Sequence, residues 1–185
     1  MSVVVIEFIP LDGIVSDPDG SAGTPYGGWA FRHGPEAVAG DKFRLGRLLD
    51  EGVLLLGRTT WELFARLWPG REGPFAARMN AVPKLVVSRG TPGVSAWSNS
   101  AVLKGDPADA VRAEGRDVVV TGSPAVVEAL RGEGLVDEYR LLTFPVVLGQ
   151  GRRLFPAGSE PAEPECLSAE RVGAAVLTRH GRAAR

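Results

Sequence analysis

Three short segments carry residue types suited to holding a phosphate group. Gly57-Arg58-Thr59-Thr60 follows the apolar run Val53–Leu56, Ser88-Arg89-Gly90 closes the run Lys84–Ser88, and Thr121-Gly122-Ser123-Pro124 closes Asp117–Thr121. Glycine permits close backbone approach, guanidinium offers paired donors to a phosphate, and the hydroxyls of Thr and Ser add further donors. Where such a segment opens a helix, unpaired backbone N–H groups and the helix dipole add a partial positive charge. Ser123 followed by Pro124 reads as an N-cap with proline at the first helical position. A Ser-Pro helix start needs no ligand. The two arginines at the ends of buried strands, Arg58 and Arg89, turn the reading toward phosphate.

The elements that must position these segments follow from hydrophobic spacing. Val3–Ile9, Val53–Leu56, Lys84–Ser88, Asp117–Thr121 and Tyr139–Val147 read as strands, and their lack of polar alternation suits burial on both faces. Helical spacing predicts helices over Glu36–Asp50, Thr59–Trp68, Pro107–Glu114 and Pro124–Gly132. In the second of these, Trp61 and Phe64 read as core contacts rather than cofactor stackers. This βαβ rhythm predicts an α/β fold with a mostly parallel sheet, in which the three segments gather along one edge. Pro10–Gly34 is dense in Gly, Pro, Asp and Ser and reads as a long ordered loop or lid; Pro156–Pro164 is a second such stretch. Cys166–Arg179 reads as a closing antiparallel hairpin around Val172-Gly173, with a frayed tail from His180. No linker separates two pieces large enough for their own cores, so residues 1–185 are expected to form a single domain.

Composition narrows the chemistry. With 44% hydrophobic and 23% charged residues and a net charge of −1, the chain is an ordinary globular sequence with no general pull toward nucleic acid or anionic membrane. Anion binding must therefore be local. A lone cysteine, Cys166, forms no internal disulfide, and MSVVVIEFIP lacks the features of a signal peptide, so a cytoplasmic protein is expected. GQGRRL at Gly149 has leucine where a G-x-G-x-x-G motif needs its third glycine, and neither G-x-x-x-x-G-K-[ST] nor G-x-S-x-G occurs. His33, His180 and Cys166 are not spaced as metal ligands, which predicts no metal; His33 reads as a loop residue and His180 as a tail residue.

The segments LDGIVSD, LLDEGVLLLGRTTWELF, KLVVSR and VVVTGSPAVVEALRGEGLVDEYRLLTFPVVLGQGRRLF stand in the right order with compatible spacing. From about residue 3 to residue 155 the chain resembles the dihydrofolate reductase-like family, which includes the C-terminal reductase domain of bacterial riboflavin-biosynthesis deaminase-reductases. The resemblance implies a dihydrofolate reductase-like fold, NADPH as cofactor, and hydride transfer to a small pterin-like or pyrimidine-like heterocycle. By it, Gly57, Arg58, Thr59 and Thr60 hold cofactor phosphate, Ser88 and Arg89 the adenosine ribose phosphate, and Thr121, Gly122 and Ser123 form a second diphosphate turn. Asp12-Gly13 resembles the family turn after the first strand, near nicotinamide and substrate, although Pro10-Leu11 replaces the usual small polar lead-in. For the carboxylate that classical dihydrofolate reductase carries on its first helix, the candidates are Glu36, Asp41 and Asp50, with Glu36 preferred; a solvated helix face is the competing reading for each. The deaminase half is missing, since H-x-E with P-C-x-x-C does not occur. A stand-alone reductase with catalytic candidates Asp12 and Glu36 is the leading expectation. The alternative is a nucleotide-binding or dimer-forming module without catalysis, and the homodimer is left open in either case.

Overall fold

Consecutive valines and leucines become strands because their side chains can be buried on both sides of a pleated sheet. The computed structural model describes residues 1–90 and 93–182. Its strands are β1 (Val3–Pro10), β2 (Val53–Gly57), β3 (Lys84–Val87), β4 (Ser100–Leu103), β5 (Val118–Thr121), β6 (Glu138–Phe144), β7 (Glu165–Val172) and β8 (Ala175–Gly181), in the sheet order β4-β3-β2-β5-β1-β6-β8-β7. The chain forms two compact units. One holds Met1–Val5 and Leu45–Val136; the other holds Ile6–Arg44 and the described residues from Asp137.

In the first unit β2 runs parallel to β3 and β5, and β3 runs parallel to β4. All five residues of β2 are buried, as expected for a central strand covered on both faces. The helices are α1 (Arg47–Glu51), α2 (Arg58–Leu67), α3 (Pro74–Ala81), α4 (Pro107–Ala113) and α5 (Pro124–Gly132). Trp61 seats α2: it is 3% exposed and its indole N–H donates to Ser100 Oγ at 2.9 Å. Phe64 is half-buried against Trp68 and Trp97. Both are core contacts, as expected.

In the second unit β8 lies between β6 and β7 and pairs antiparallel with both, with Val172 paired to Ala175 across the β7–β8 turn. Trp29, Leu142, Phe144 and Leu177 form its apolar centre. The long Pro10–Gly34 segment is built into this unit rather than draped over it. Ile14, Val15, Trp29 and Ala30 are buried, and Trp29 Nε1 donates to Ser16 O at 2.9 Å. Between these anchors Asp17 organises the arc, its carboxylate accepting from Ala22 N, Thr24 N and Thr24 Oγ1 at 2.9, 2.9 and 2.7 Å.

Several expectations are corrected. No continuous helix covers Glu36–Asp50: Pro35–Ala37 is a single 3-10 turn and Arg47–Glu51 a helix of its own. Between them Gly40, Arg44 and Gly46 have φ of +69°, +55° and +49°, which a right-handed helix cannot include. β4 and α3 are additional elements. Four residues behind the polar Ser98-Asn99 carry little strand pattern, and Pro74–Ala81 has apolar residues too sparse to announce a helix. His180 is not a tail residue, since it pairs with Tyr139 on one side and Cys166 on the other within β8. His33 ends a 3-10 turn, Ala30–His33. Of the expected frayed tail, residues 183–185 lie outside those described.

Candidate functional site

The parallel strands of the first unit bring their carboxyl ends to one edge. The register sets Gly57 opposite Val87 and Val87 opposite Leu103, so Arg58, Ser88 and Lys104 are the next residues of three adjacent chains. Neighbouring strands lie roughly 5 Å apart, so these ends form a row about 10 Å long. A cleft of about 980 Å³ opens here, and its walls include Gly57, Arg58, Thr59, Ser88, Arg89 and Ser123. Of the other sequence-predicted residues, Thr60 continues the first turn of α2, and Thr121 and Gly122 lead from β5 to Ser123; these do not line the cleft.

Two helix starts face this cleft in direct contact. α2 begins at Arg58 and α5 at Pro124. A Cβ placed on Gly57 would stand 2.6 Å from Ser123 Oγ and 2.9 Å from Ser123 Cβ. Only glycine permits that approach. Gly122 has φ of +53°, in the region that favours glycine, and the Gly122–Ser123 peptide is cis.

The expectation that Ser123 caps its helix is corrected. Its side chain makes no capping hydrogen bond, and Gly57 has no side chain to cap α2. By contrast, Asp106 caps α4 by accepting from Ala108 N at 2.7 Å. Neither N-cap side chain thus caps the first amides of α2 or α5, and the Ser123 hydroxyl is free of the capping role. Among the described residues, the cleft lining contains Arg58, Arg89 and Lys104 but no carboxylate. Arg58 has a distant contact to Glu62, 3.8 Å from Nε to Oε1, with both side chains largely exposed.

Among the wall residues that sequence reasoning missed are Lys104 and Gly105. The signal was present, since AVL-Lys104-Gly105 repeats the strand-cation-glycine order of KLVVS-Arg89-Gly90. It was hidden because β4 itself was not recognised.

The acidic candidates are scattered. Asp50 is in the first unit, ion-paired with Arg78 at 2.6 Å. Asp41 and Glu36 are in the second unit. Glu36 is exposed on its 3-10 turn and lines a separate cleft of about 500 Å³ with His33 and Arg171. Asp12, also in the second unit, is committed to the backbone. Its Oδ2 accepts from Gly149 N at 2.7 Å and Leu148 N at 2.9 Å, while Arg153 donates to its carbonyl at 2.7 Å. The Gly149 bond is the largest influence holding this carboxyl below its ordinary value; burial opposes it and the Leu148 bond assists. The other carboxylate oxygen, Oδ1, is buried without a hydrogen-bond partner among the described residues.

Comparison with known proteins agrees with this architecture. The model of the family described as the RibD C-terminal domain matches residues 2–178. The protein YyaP of Bacillus subtilis (strain 168) is 29% identical over 111 residues, which are 56% of this chain and 58% of that protein. Among solved structures, a protein of Shewanella sp. PV-4 named for riboflavin biosynthesis aligns over 100% of both chains, with a TM-score of 0.75 and 20% identity. A Thermotoga maritima diaminohydroxyphosphoribosylaminopyrimidine deaminase/5-amino-6-(5-phosphoribosylamino)uracil reductase aligns over 98% of this chain and 56% of its own, with a TM-score of 0.61 and 16% identity. The shared fold is the dihydrofolate reductase-like α/β fold.

Proposed function

The chain belongs to the RibD C-terminal domain family, and on that premise we propose that it is an NADPH-dependent reductase of a small pterin-like or pyrimidine-like heterocycle, similar in chemistry to 5-amino-6-(5-phosphoribosylamino)uracil reductase. The observation that carries the reading is the strand-end cleft. Three cations, two helix starts without N-cap side-chain bonds and no acidic wall among the described residues fit a ligand with several phosphate charges. Gly57, Thr59 and Ser123 would hold the diphosphate, and Ser88 and Arg89 the adenosine ribose phosphate. When bound, the nicotinamide supplies the hydride; the protein supplies orientation and electrostatics. Gly57 packs closely on Ser123; with the two helix starts joined in this way, the proposed phosphate seat would leave little ordering to occur on binding.

A second reading, a nucleotide-binding module without catalysis, draws support from the acidic candidates. Asp12 is held ionised by backbone amides and Glu36 is solvent-exposed, so neither is built as a proton donor. Titration and turnover separate the two readings. NADPH should bind about 10- to 150-fold more tightly than NADH, the equivalent of one charge-assisted contact. Added salt should weaken NADPH more than NADH. NADPH oxidation accelerated by a pyrimidine or pterin ring supports the reductase; tight binding with no accelerated oxidation across both ring classes supports the module. Equal affinity for the two dinucleotides would contradict the cofactor assignment.

A further inference from the structure

We propose that β7 is the docking strand for a second copy of this chain, laid antiparallel against it about a two-fold axis so that the Arg171 end of each strand meets the Glu165 end of the other. The cofactor reading is not involved, since no residue of β7 lines the strand-end cleft. The two edges of the sheet are built differently. β4, at one edge, is four residues long, and three of them are partly buried. β7, at the other edge, is eight residues long, and its first seven residues are all exposed. Strands commonly run to about five or six residues, and a long exposed edge leaves a row of N–H and C=O groups open to a further strand. β7 also lacks the usual guards. It contains neither proline nor lysine, and among the described residues its strand partner is β8 alone. A bulge between Cys166 and Ser168 twists it locally but removes no amide donor. The stretch Cys166-Leu167-Ser168-Ala169 is uncharged, and Leu167 is 48% exposed.

Charge selects the occupant. Glu165 begins the strand, with Glu163 just before it, and Arg171 stands near its end. Neither Glu165 nor Arg171 has an ion-pair partner among the described residues; Arg171 Nε donates to Gly173 O at 2.9 Å. Glu170, by contrast, is already paired with Arg44 at 3.0 Å. Antiparallel copies bring each unpaired cation to an unpaired carboxylate, and the two-fold makes that contact twice. Parallel copies would set like charge on like. A two-fold contact is also closed: each copy uses its one long edge, and the short β4 edge offers no continuation into a fibre. Arg171 also walls the cleft of about 500 Å³ that holds His33 and Glu36, so a second copy docked on β7 stands beside that cleft.

The test is sedimentation velocity of the full chain across a wide concentration range, with circular dichroism confirming that every variant folds. The parent should show an equilibrium between monomer and dimer. Arg171→Glu and Glu165→Arg should each weaken the dimer about tenfold, because each sets like charges together twice. Added salt should narrow that difference. The double variant carrying both substitutions has opposite charges again and should regain the parent affinity, an outcome that a merely structural role for either residue would not give. Ala169→Lys, at an exposed position of the uncharged stretch, should also weaken the dimer. A parent that stays monomeric throughout, a dimer that these single substitutions leave unchanged, or a double variant as weak as either single reversal overturns the assignment of β7.

Discussion

Ser123 and Gly57 meet in a close contact that departs from ordinary helix-capping chemistry. A serine at an N-cap usually satisfies an amide of the first turn, and losing it costs about 1 kcal/mol. Here the hydroxyl makes no such bond. Ser123→Ala should therefore change the melting temperature little, within the roughly 0.5 kcal/mol of a neutral substitution, while weakening NADPH. Gly122→Val should do the reverse in part: at φ of +53° a β-branched residue costs roughly 1–3 kcal/mol, so stability falls and binding falls further. Thermal shift with and without NADPH reads both variants. Lys84 is a different case, a buried cation outside the site. It is 1% exposed, its Nζ donates to Asn80 O and Ser98 O at 2.9 and 3.1 Å, and it lies 4.2 Å from the centre of the Trp97 ring. Burial lowers its pKa to about 8 from an ordinary 10.5. The folded state thus releases its proton before the unfolded state does, and Lys84's contribution to stability rises with pH between those two values. Relative to Lys84→Met, the parent protein should gain stability from pH 8 to pH 10; a difference that stays flat or shrinks over that range would contradict the account.

At the level of elements, the chain was most legible where side-chain pattern and burial coincide. β2, with every residue apolar and buried, and α5, with Val126, Val127 and Leu130 on one face, were readable to within a residue. β4 and the 38–46 segment were not, for opposite reasons. β4 is too short to display a period, whereas residues 38–46 hold a helix-like pattern broken by left-handed backbone at Gly40, Arg44 and Gly46. Losing β4 also hid Lys104, so an error in an element became an omission in the site. The Pro10–Gly34 segment was recognisable as ordered loop from its composition, but its organiser, Asp17, was not, because two of its three partners are backbone amides that no side-chain motif marks. Asp17→Ala should destabilise the protein by roughly 2–3 kcal/mol and speed amide exchange at Ala22 and Thr24, since a buried carboxylate bonded to amides is removed. Burial opposes ionisation of Asp17, yet the bonds from Thr24 and Ala22 outweigh it and hold its pKa below the ordinary 3.8. Its contribution is therefore complete above that value and lost as pH falls through the lower folded-state pKa. Asp17→Ala and parent should converge in stability in that acid range; a constant difference would show that the carboxylate charge is not what holds the arc.

For the whole molecule, the family match over residues 2–178 and the eight-stranded sheet support the fold that the motif order implied. What sequence carried poorly was the acid-base side of the chemistry. The turns proposed to seat phosphate, such as Gly57-Arg58-Thr59, are local and each readable alone, whereas a proton donor is defined by surroundings that several distant segments build together. Asp12 illustrates this, since its partners are the Leu148 and Gly149 amides, more than a hundred residues away in sequence. The central claim is that the edge formed by β2, β3, β4 and β5 is a phosphate seat for a dinucleotide. The most direct measurement is a crystal structure determined with NADPH. The account predicts diphosphate oxygens within hydrogen-bond distance of the first amides of α2 and of the Ser123 hydroxyl, with the adenosine end toward Arg89. NADPH bound elsewhere on the chain, with that edge facing only solvent, would contradict it.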